Sequence, residues 1–161
     1  MENVAKKAVD ILREKKLTVA TAESCTGGLV SAKITSVSGS SEVISFSMVT
    51  YSNEVKIEKL GVKRETIDSF GAVSEQTARE MAESIRRLAD SDFGISVTGV
   101  AGPSMSEGKA VGVVFIALAT EGKTSVEQLK AAPLTRNEVR ENAANRALEM
   151  LFEAAKEYRK E

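Results

Sequence analysis

The chain contains no histidine and no tryptophan, and it has only one cysteine and two prolines among its 161 residues. The absence of histidine removes the most common general base for a serine or cysteine nucleophile. A single cysteine cannot form an internal disulfide, the cross-link that usually stabilises small secreted domains. These absences also exclude a structural zinc site, which is built from cysteine and histidine ligands. Any catalysis must therefore use another base, and we expect neither a metal nor a cofactor.

The chain also lacks an excess of either charge and has no long apolar run. Twenty-two basic and 23 acidic side chains leave a formal charge of -1, which gives no signal for nucleic acid or for an anionic membrane. No apolar run approaches the ~20 residues of a membrane-spanning helix, and residues 1–16 mix charges in a way that does not resemble a signal peptide. We therefore expect a cytoplasmic protein with a small-molecule partner, and the sequence leaves open a homo-oligomer.

Helical and strand patterns alternate along the chain. Helical spacing of apolar residues marks residues 3–15, 29–37, 74–90 and 139–158, the last preceded by a capping box of Thr135 and Glu138. Apolar or alternating runs predict strands at residues 17–23, 45–51, 93–99, 111–120 and 124–132, the last with one wet face typical of a sheet edge. The length suits one domain over residues 1–161. This order predicts an α/β fold with a largely parallel central sheet.

Three polar clusters stand where predicted strands end. They read "ESCTGG" at 23–28, "TYSNEVK" at 50–56 and "TGVAGP" at 98–103. In open α/β sheets, ligands bind beyond the carboxyl ends of the strands. The sequence therefore predicts a binding site built from these three segments.

The first cluster offers two alternative nucleophiles, Ser24 and Cys25. Cysteine is the stronger intrinsic nucleophile, but a lone thiol is usually a buried structural residue, and a serine after a strand can simply bond the backbone. Without histidine, the nearest candidate bases are Tyr51 and Lys56. A lysine can serve when burial or a nearby cation lowers its pKa. Spacing alone neither chooses between the nucleophiles nor places Lys56 beside them.

Five segments taken together resemble one known family. They are "TAESCTGGLVSAKITSVSGSSEV", "VTYSNEVKIEKLGV", "GAVSEQTAREMA", "ISVTGVAGP" and "VGVVFIAL". In this order they resemble the CinA C-terminal domain family, the nicotinamide-nucleotide amidohydrolases also called PncC, over about residues 4–155. The resemblance implies a three-layer α/β/α fold with a mixed, mostly parallel sheet of about five strands. It also implies hydrolysis of nicotinamide mononucleotide to nicotinic acid mononucleotide and ammonia, a step of pyridine nucleotide recycling.

The resemblance assigns roles to residues of this chain. It makes Ser24 the acylated nucleophile and Lys56 its general base, and it places Tyr51 and Thr98 in the catalytic site. Substrate-binding positions are expected on the glycine-containing turns and on the last helix, at Cys25, Thr26, Gly27, Gly28, Gly99, Gly102, Arg136 and Arg140. Backbone N–H groups of the turn 25–28 suit an oxyanion, and the two guanidinium groups suit a phosphate.

The chain also departs from the family pattern. Relatives usually carry a longer glycine-rich loop with a Lys-Pro pair before "VG", whereas this chain has the shorter "PSMSEGKAVG", with Ala110 at the proline position. Many relatives carry a molybdopterin-binding-like domain at the N-terminus, so we expect this chain to be the stand-alone form. Two other functions stay open: an inactive nucleotide-binding or regulatory module linked to competence or DNA damage, and an amidase for another small phosphorylated amide.

Overall fold

The computed structural model describes residues 3–160. Within that range the chain forms six α-helices and five β-strands in mixed order. The helices are α1 (Val4–Lys15), α2 (Leu29–Thr35), α3 (Asn53–Glu58), α4 (Arg64–Phe70), α5 (Glu75–Ala89) and α6 (Arg136–Glu157). The strands are β1 (Val19–Glu23), β2 (Ile44–Val49), β3 (Phe93–Gly99), β4 (Val114–Thr120) and β5 (Lys123–Leu129).

The strands form one sheet in the order β2-β1-β3-β4-β5. β1 pairs in parallel with β2 and β3, whereas β4 runs antiparallel to both β3 and β5. Four strands therefore point in one direction and only β4 is reversed. The prediction of a mixed, mostly parallel sheet of about five strands is confirmed, and β5 lies at an edge as its alternating pattern indicated.

Helices cover both faces of the sheet and produce the predicted three layers. α1, α2 and α6 share one apolar core with the large side chains of the central strands, including Phe93, Ile95 and Ile116. α5 packs on the opposite face, where β4 presents Ala117 and Ala119. Successive side chains of a strand point to opposite faces of the sheet. In the central strands large side chains alternate with small ones, so one face carries the large residues and the other the small ones.

Local hydrogen bonds fix where the helices begin. The Ser52 hydroxyl accepts from Val55 N at the start of α3, and the Ser74 hydroxyl accepts from Thr77 N at the start of α5. Thr135 and Glu138 form the predicted capping box of α6. These caps satisfy N–H groups that have no partner within the helix. They therefore fix the ends of the two helices that carry Lys56 and Arg136.

Candidate active site

A cavity of about 280 Å³ lies at the carboxyl ends of β1, β2 and β3, among the three predicted polar segments. The parallel register brings the last residue of β1 beside Val49 of β2 and Val97 of β3. The chain segments that follow these strands therefore converge on one place. The residues that line the cavity are Ser24, Cys25, Tyr51, Asn53, Lys56, Ala72, Val73, Thr98, Gly99, Val100, Ala101, Gly102, Ser104, Ser106, Glu107 and Arg136.

Ser24 and Lys56 meet within this cavity. Lys56 Nζ donates to Ser24 Oγ at 3.1 Å, although the two residues are 32 positions apart in the chain. The backbone N–H of Ser24 bonds Val97 O at 2.9 Å, which fixes the start of the turn after β1 against β3. Lys56 lies on α3, which begins directly after the loop that follows β2. The fold thus provides the contact that spacing alone did not reveal.

The environment of Lys56 suits an uncharged amine. The side chain is only 1% exposed, and burial lowers its pKa below the 10.5 of a free lysine. Besides Ser24, Nζ donates to Thr50 O at 2.7 Å and to Tyr51 O at 3.3 Å. A neutral amine has two N–H groups and one lone pair. In the neutral form both N–H groups can stay on these carbonyls, and the Ser24 hydroxyl then donates to the lone pair of Nζ across the same 3.1 Å contact.

Cys25 is placed less favourably as a nucleophile. Its side chain is buried, and burial raises the pKa of the thiol to about 11. The thiolate is the reactive form of cysteine, and at neutral pH this thiol stays protonated. The structure therefore favours Ser24 over Cys25, a choice that the residue types alone left open.

The turn that follows Ser24 needs glycine. Gly27 and Gly28 adopt positive φ values of 57° and 97°, which glycine tolerates far better than other residues. The N–H of Gly27 bonds Ser24 O at 3.0 Å. Among residues 3–160, no carbonyl accepts a hydrogen bond from the N–H groups of Cys25 or Thr26. Of these two residues, Cys25 lines the cavity, whereas Thr26 is fully buried outside its lining.

Arg136 bridges two other parts of the cavity wall. Its guanidinium donates to Tyr51 Oη at 2.9 Å and also to Gly102 O. Arg136 is the first residue of α6, near the positive end of the helix dipole. Both Arg136 and Tyr51 are exposed. An anion could therefore reach Arg136 from solvent.

Not every predicted residue faces the cavity. Arg140 does not line it and instead donates to Cys25 O at 3.2 Å and to Thr26 O at 3.0 Å. Thr26, Gly27 and Gly28 belong to the same turn but also lie outside the cavity lining. Arg140 is therefore placed to support the turn, because its guanidinium binds backbone carbonyls where a phosphate was expected.

Thr98 and the glycines of the third segment do line the cavity. Thr98 is almost fully buried, and its hydroxyl donates to Ala72 O at 2.8 Å. This bond ties the end of β3 to the segment before α5. Gly99 and Gly102 flank the loop that follows β3 and contribute backbone to the wall. The three predicted segments thus meet at one site.

Other groups at the site carry no side-chain signal in the sequence. Glu107 belongs to the short loop that departs from the family pattern, and its carboxylate accepts from Ala72 N at 2.9 Å and from Val73 N at 3.0 Å. No periodicity or motif marks such a residue. Thr50 acts through its carbonyl, which every residue type carries, so no side-chain signal could have identified it.

In the part of the chain that the structure describes, no group of three or more His, Cys, Asp and Glu residues could hold a metal ion. No helix among residues 3–160 is long and apolar enough to cross a membrane.

The comparisons with known proteins place this architecture in a family. A CinA-like protein of Kosmotoga olearia is 47% identical over 154 residues, which cover 95% of this chain and 37% of that protein. A CinA-like protein of Endomicrobium trichonymphae is 46% identical over 151 residues, covering 93% of this chain and 35% of that protein. This chain therefore spans little more than a third of the length of these curated relatives.

Solved structures share the whole fold. The competence/damage inducible protein CihA from Agrobacterium tumefaciens matches with a TM-score of 0.89 and 38% identity, and the match covers 98% of both chains. A CinA superfamily protein from Klebsiella pneumoniae matches with a TM-score of 0.92 and 29% identity, covering 96% of this chain and 97% of that one. The family model of the CinA C-terminal domain matches residues 1–155. The chain therefore belongs to the CinA C-terminal domain family.

Proposed function

We propose that this chain is an amidohydrolase that cleaves a primary carboxamide with Ser24 as nucleophile and Lys56 as general base. The observation that carries the proposal is the 3.1 Å contact between Lys56 Nζ and Ser24 Oγ. Burial supports it, because a lowered pKa makes the neutral amine, which can accept a proton, easier to form. A Ser/Lys pair of this kind replaces the histidine that the chain lacks.

The reaction would proceed in two stages. Lys56 takes the hydroxyl proton as Ser24 Oγ attacks the carboxamide carbon, and the backbone N–H of Cys25, which lines the cavity, stabilises the oxyanion. The lysine ammonium then protonates the departing nitrogen, and ammonia leaves with the C–N bond broken. A water molecule, deprotonated by the same amine, attacks the acyl-enzyme ester. The carboxylic acid is released and Ser24 is restored.

We propose nicotinamide mononucleotide as the substrate. The cavity of about 280 Å³ is near the lower end of small-molecule sites, which begin at roughly 300 Å³, and it suits a mononucleotide better than a dinucleotide. Arg136 supplies the cation for a phosphate, because one guanidinium group can donate two hydrogen bonds to two phosphate oxygens. The amide would then lie at Ser24 and the phosphate at the end of α6. The product would be nicotinic acid mononucleotide.

Ammonia release from nicotinamide mononucleotide tests this proposal. We expect Ser24→Ala and Lys56→Ala each to lose turnover by at least about 100-fold, because each removes a group that takes part in bond making or proton transfer. Cys25→Ala serves as the matched control. It removes the neighbouring thiol but keeps the backbone N–H, so most of the turnover should remain.

The assay also separates the alternatives. Loss of turnover in Cys25→Ala with an active Ser24→Ala would reverse the choice of nucleophile. Turnover of another phosphorylated amide, without turnover of nicotinamide mononucleotide, would change the substrate and keep the mechanism. Binding of the nucleotide without release of ammonia would instead support a regulatory module.

A further inference from the structure

Glu23 is a buried carboxylate that the proposed reaction does not use. It is the last residue of β1 and directly precedes Ser24. Its side chain is fully buried. A buried carboxylate costs free energy unless hydrogen bonds replace its lost water, so its partners are informative.

The carboxylate of Glu23 joins the two ends of the turn that contains Ser24. It accepts from Val30 N at 2.8 Å and from Ser31 N at 3.0 Å, both in the first turn of α2. The Ser31 hydroxyl donates to it at 2.6 Å. One side chain thus connects the end of β1 to the start of α2, and residues 24–28 form the loop between these two points.

A cluster of hydroxyl groups extends the same network to β2. Thr21 Oγ1 donates to Ser47 Oγ at 2.9 Å and lies 3.5 Å from the Glu23 carboxylate. The hydroxyls of Ser31 and Ser47 are 2.8 Å apart. The carboxylate and its partners therefore connect β1, β2 and α2, and the loop after β2 carries the carbonyls that hold Lys56.

The partners of Glu23 point to a geometric role. Among residues 3–160 its donors are two backbone N–H groups and the Ser31 hydroxyl, with the Thr21 hydroxyl at 3.5 Å, and no Lys or Arg is among them. Hydrogen bonds from N–H to a carboxylate are stronger and more directional than those between neutral groups. An apolar residue could fill the same volume, but it would leave the turn without these fixed bonds.

We propose that Glu23 is a positioning residue that holds the turn 24–28 in its catalytic shape. It keeps Ser24 Oγ beside Lys56 Nζ and keeps Cys25 at the cavity wall. This inference rests on the proposed function, because it assigns Glu23 a part in the action of Ser24. It adds a residue to the machinery that does not touch the substrate.

Glu23→Gln is the direct test because it preserves side-chain shape. The amide NH₂ would replace one acceptor oxygen with a donor, which then faces backbone N–H groups. We expect kcat for deamidation to fall about 30-fold, with KM within about twofold of wild type, because small displacements of reacting groups cost up to about 100-fold. Ile34→Ala is the matched control, since it removes a buried side chain of the same helix and leaves the carboxylate network unchanged.

The control separates positioning from a general loss of stability. Ile34→Ala should lower the melting temperature while kcat stays within about threefold of wild type. If Glu23→Gln shows kcat within about twofold of wild type, the inference is overturned. An equal loss of kcat in Ile34→Ala at matched melting temperature would also overturn it.

A second readout keeps this inference distinct from the proposed function. Phenylmethanesulfonyl fluoride forms an O–S bond with an activated serine and releases fluoride, while the hydroxyl proton passes to the base. We expect intact-mass labelling of wild type at Ser24, slowed at least about 10-fold in Glu23→Gln. Labelling without deamidation would overturn the proposed substrate, and the labelling rates would still decide the role of Glu23. If wild type is neither labelled by the sulfonyl fluoride nor active in deamidation, both proposals are overturned.

Ser31→Ala provides the test if Glu23→Gln does not fold. It removes the 2.6 Å hydroxyl bond but keeps both backbone bonds to the carboxylate. We expect a fall in kcat of about fivefold with little change in KM. Unchanged kcat and labelling rate in Ser31→Ala would overturn the inference in that case.

Discussion

Lys56 is buried, and among residues 3–160 no carboxylate bonds its amine. Lysine is almost never fully buried unless it is paired, yet here the bonded acceptors are two carbonyls and one hydroxyl. Burial has the largest effect on its pKa and lowers it, whereas Cys25 and the more distant carboxylates of Glu107 and Glu54 raise it. The family resemblance predicted the pairing of Ser24 with Lys56. The contact itself depends on the packing of segments that are distant in sequence, so spacing could not supply it.

The pH dependence of deamidation should follow the neutral amine. Because burial lowers the pKa of Lys56, kcat/KM should rise with pH along a limb whose midpoint lies below 10.5. Lys56→Arg keeps a cation of similar length that cannot lose its proton, so turnover should fall at least about 100-fold at every pH. A pH–rate profile checks both expectations. A midpoint at or above that of free lysine, or an active arginine variant, would contradict this role.

At the scale of elements, α5 approaches the sheet closely because the strands facing it carry small residues. β1 presents Ala20 and Ala22 to the core on this side, and β3 presents Gly94. A Cβ built at Gly94 would lie 2.2 Å from Ala82 O of α5. Helix caps were predictable because they depend on residues a few positions apart. The reversal of β4 was not predicted, because strand direction depends on the path of the loop before it.

Gly94→Ala should therefore destabilise the fold without touching the cavity. The added methyl group would force α5 away from β3, and overpacking of this kind costs about 2 kcal/mol. Urea denaturation measures the change in the free energy of unfolding. Ser45→Ala, at an exposed position of β2, is the control and should change it by less than about 0.5 kcal/mol. A Gly94→Ala protein as stable as this control would show that α5 can shift without cost.

On the scale of the whole molecule, the fold holds a lysine in a place that disfavours its charge. The sheet, the caps of α3 and α6, and the turn after β1 bring the site together from three segments. The order of the polar clusters predicted that they would meet, because carboxyl ends of parallel strands share one edge of a sheet. The support from Glu23, Glu107 and Arg140 was not predictable, because each binds backbone groups that any sequence supplies. Because folding lowers the pKa of Lys56, proton binding by this lysine is linked to the free energy of unfolding.

This linkage predicts how stability changes with pH. The folded-state pKa of Lys56 is below its unfolded value of about 10.5, so between these two values the unfolded chain binds more protons. The free energy of unfolding must then rise with pH in that window, by up to about 1.4 kcal/mol per pH unit. Lys56→Met lacks this contribution, whereas the other titrating groups are common to both proteins. Denaturation at a series of pH values from about 7 to about 10 should therefore show the stability of wild type rising relative to Lys56→Met. A difference that stays flat or falls with pH would mean that folding does not lower the pKa of this lysine, and the neutral base would lose its physical basis.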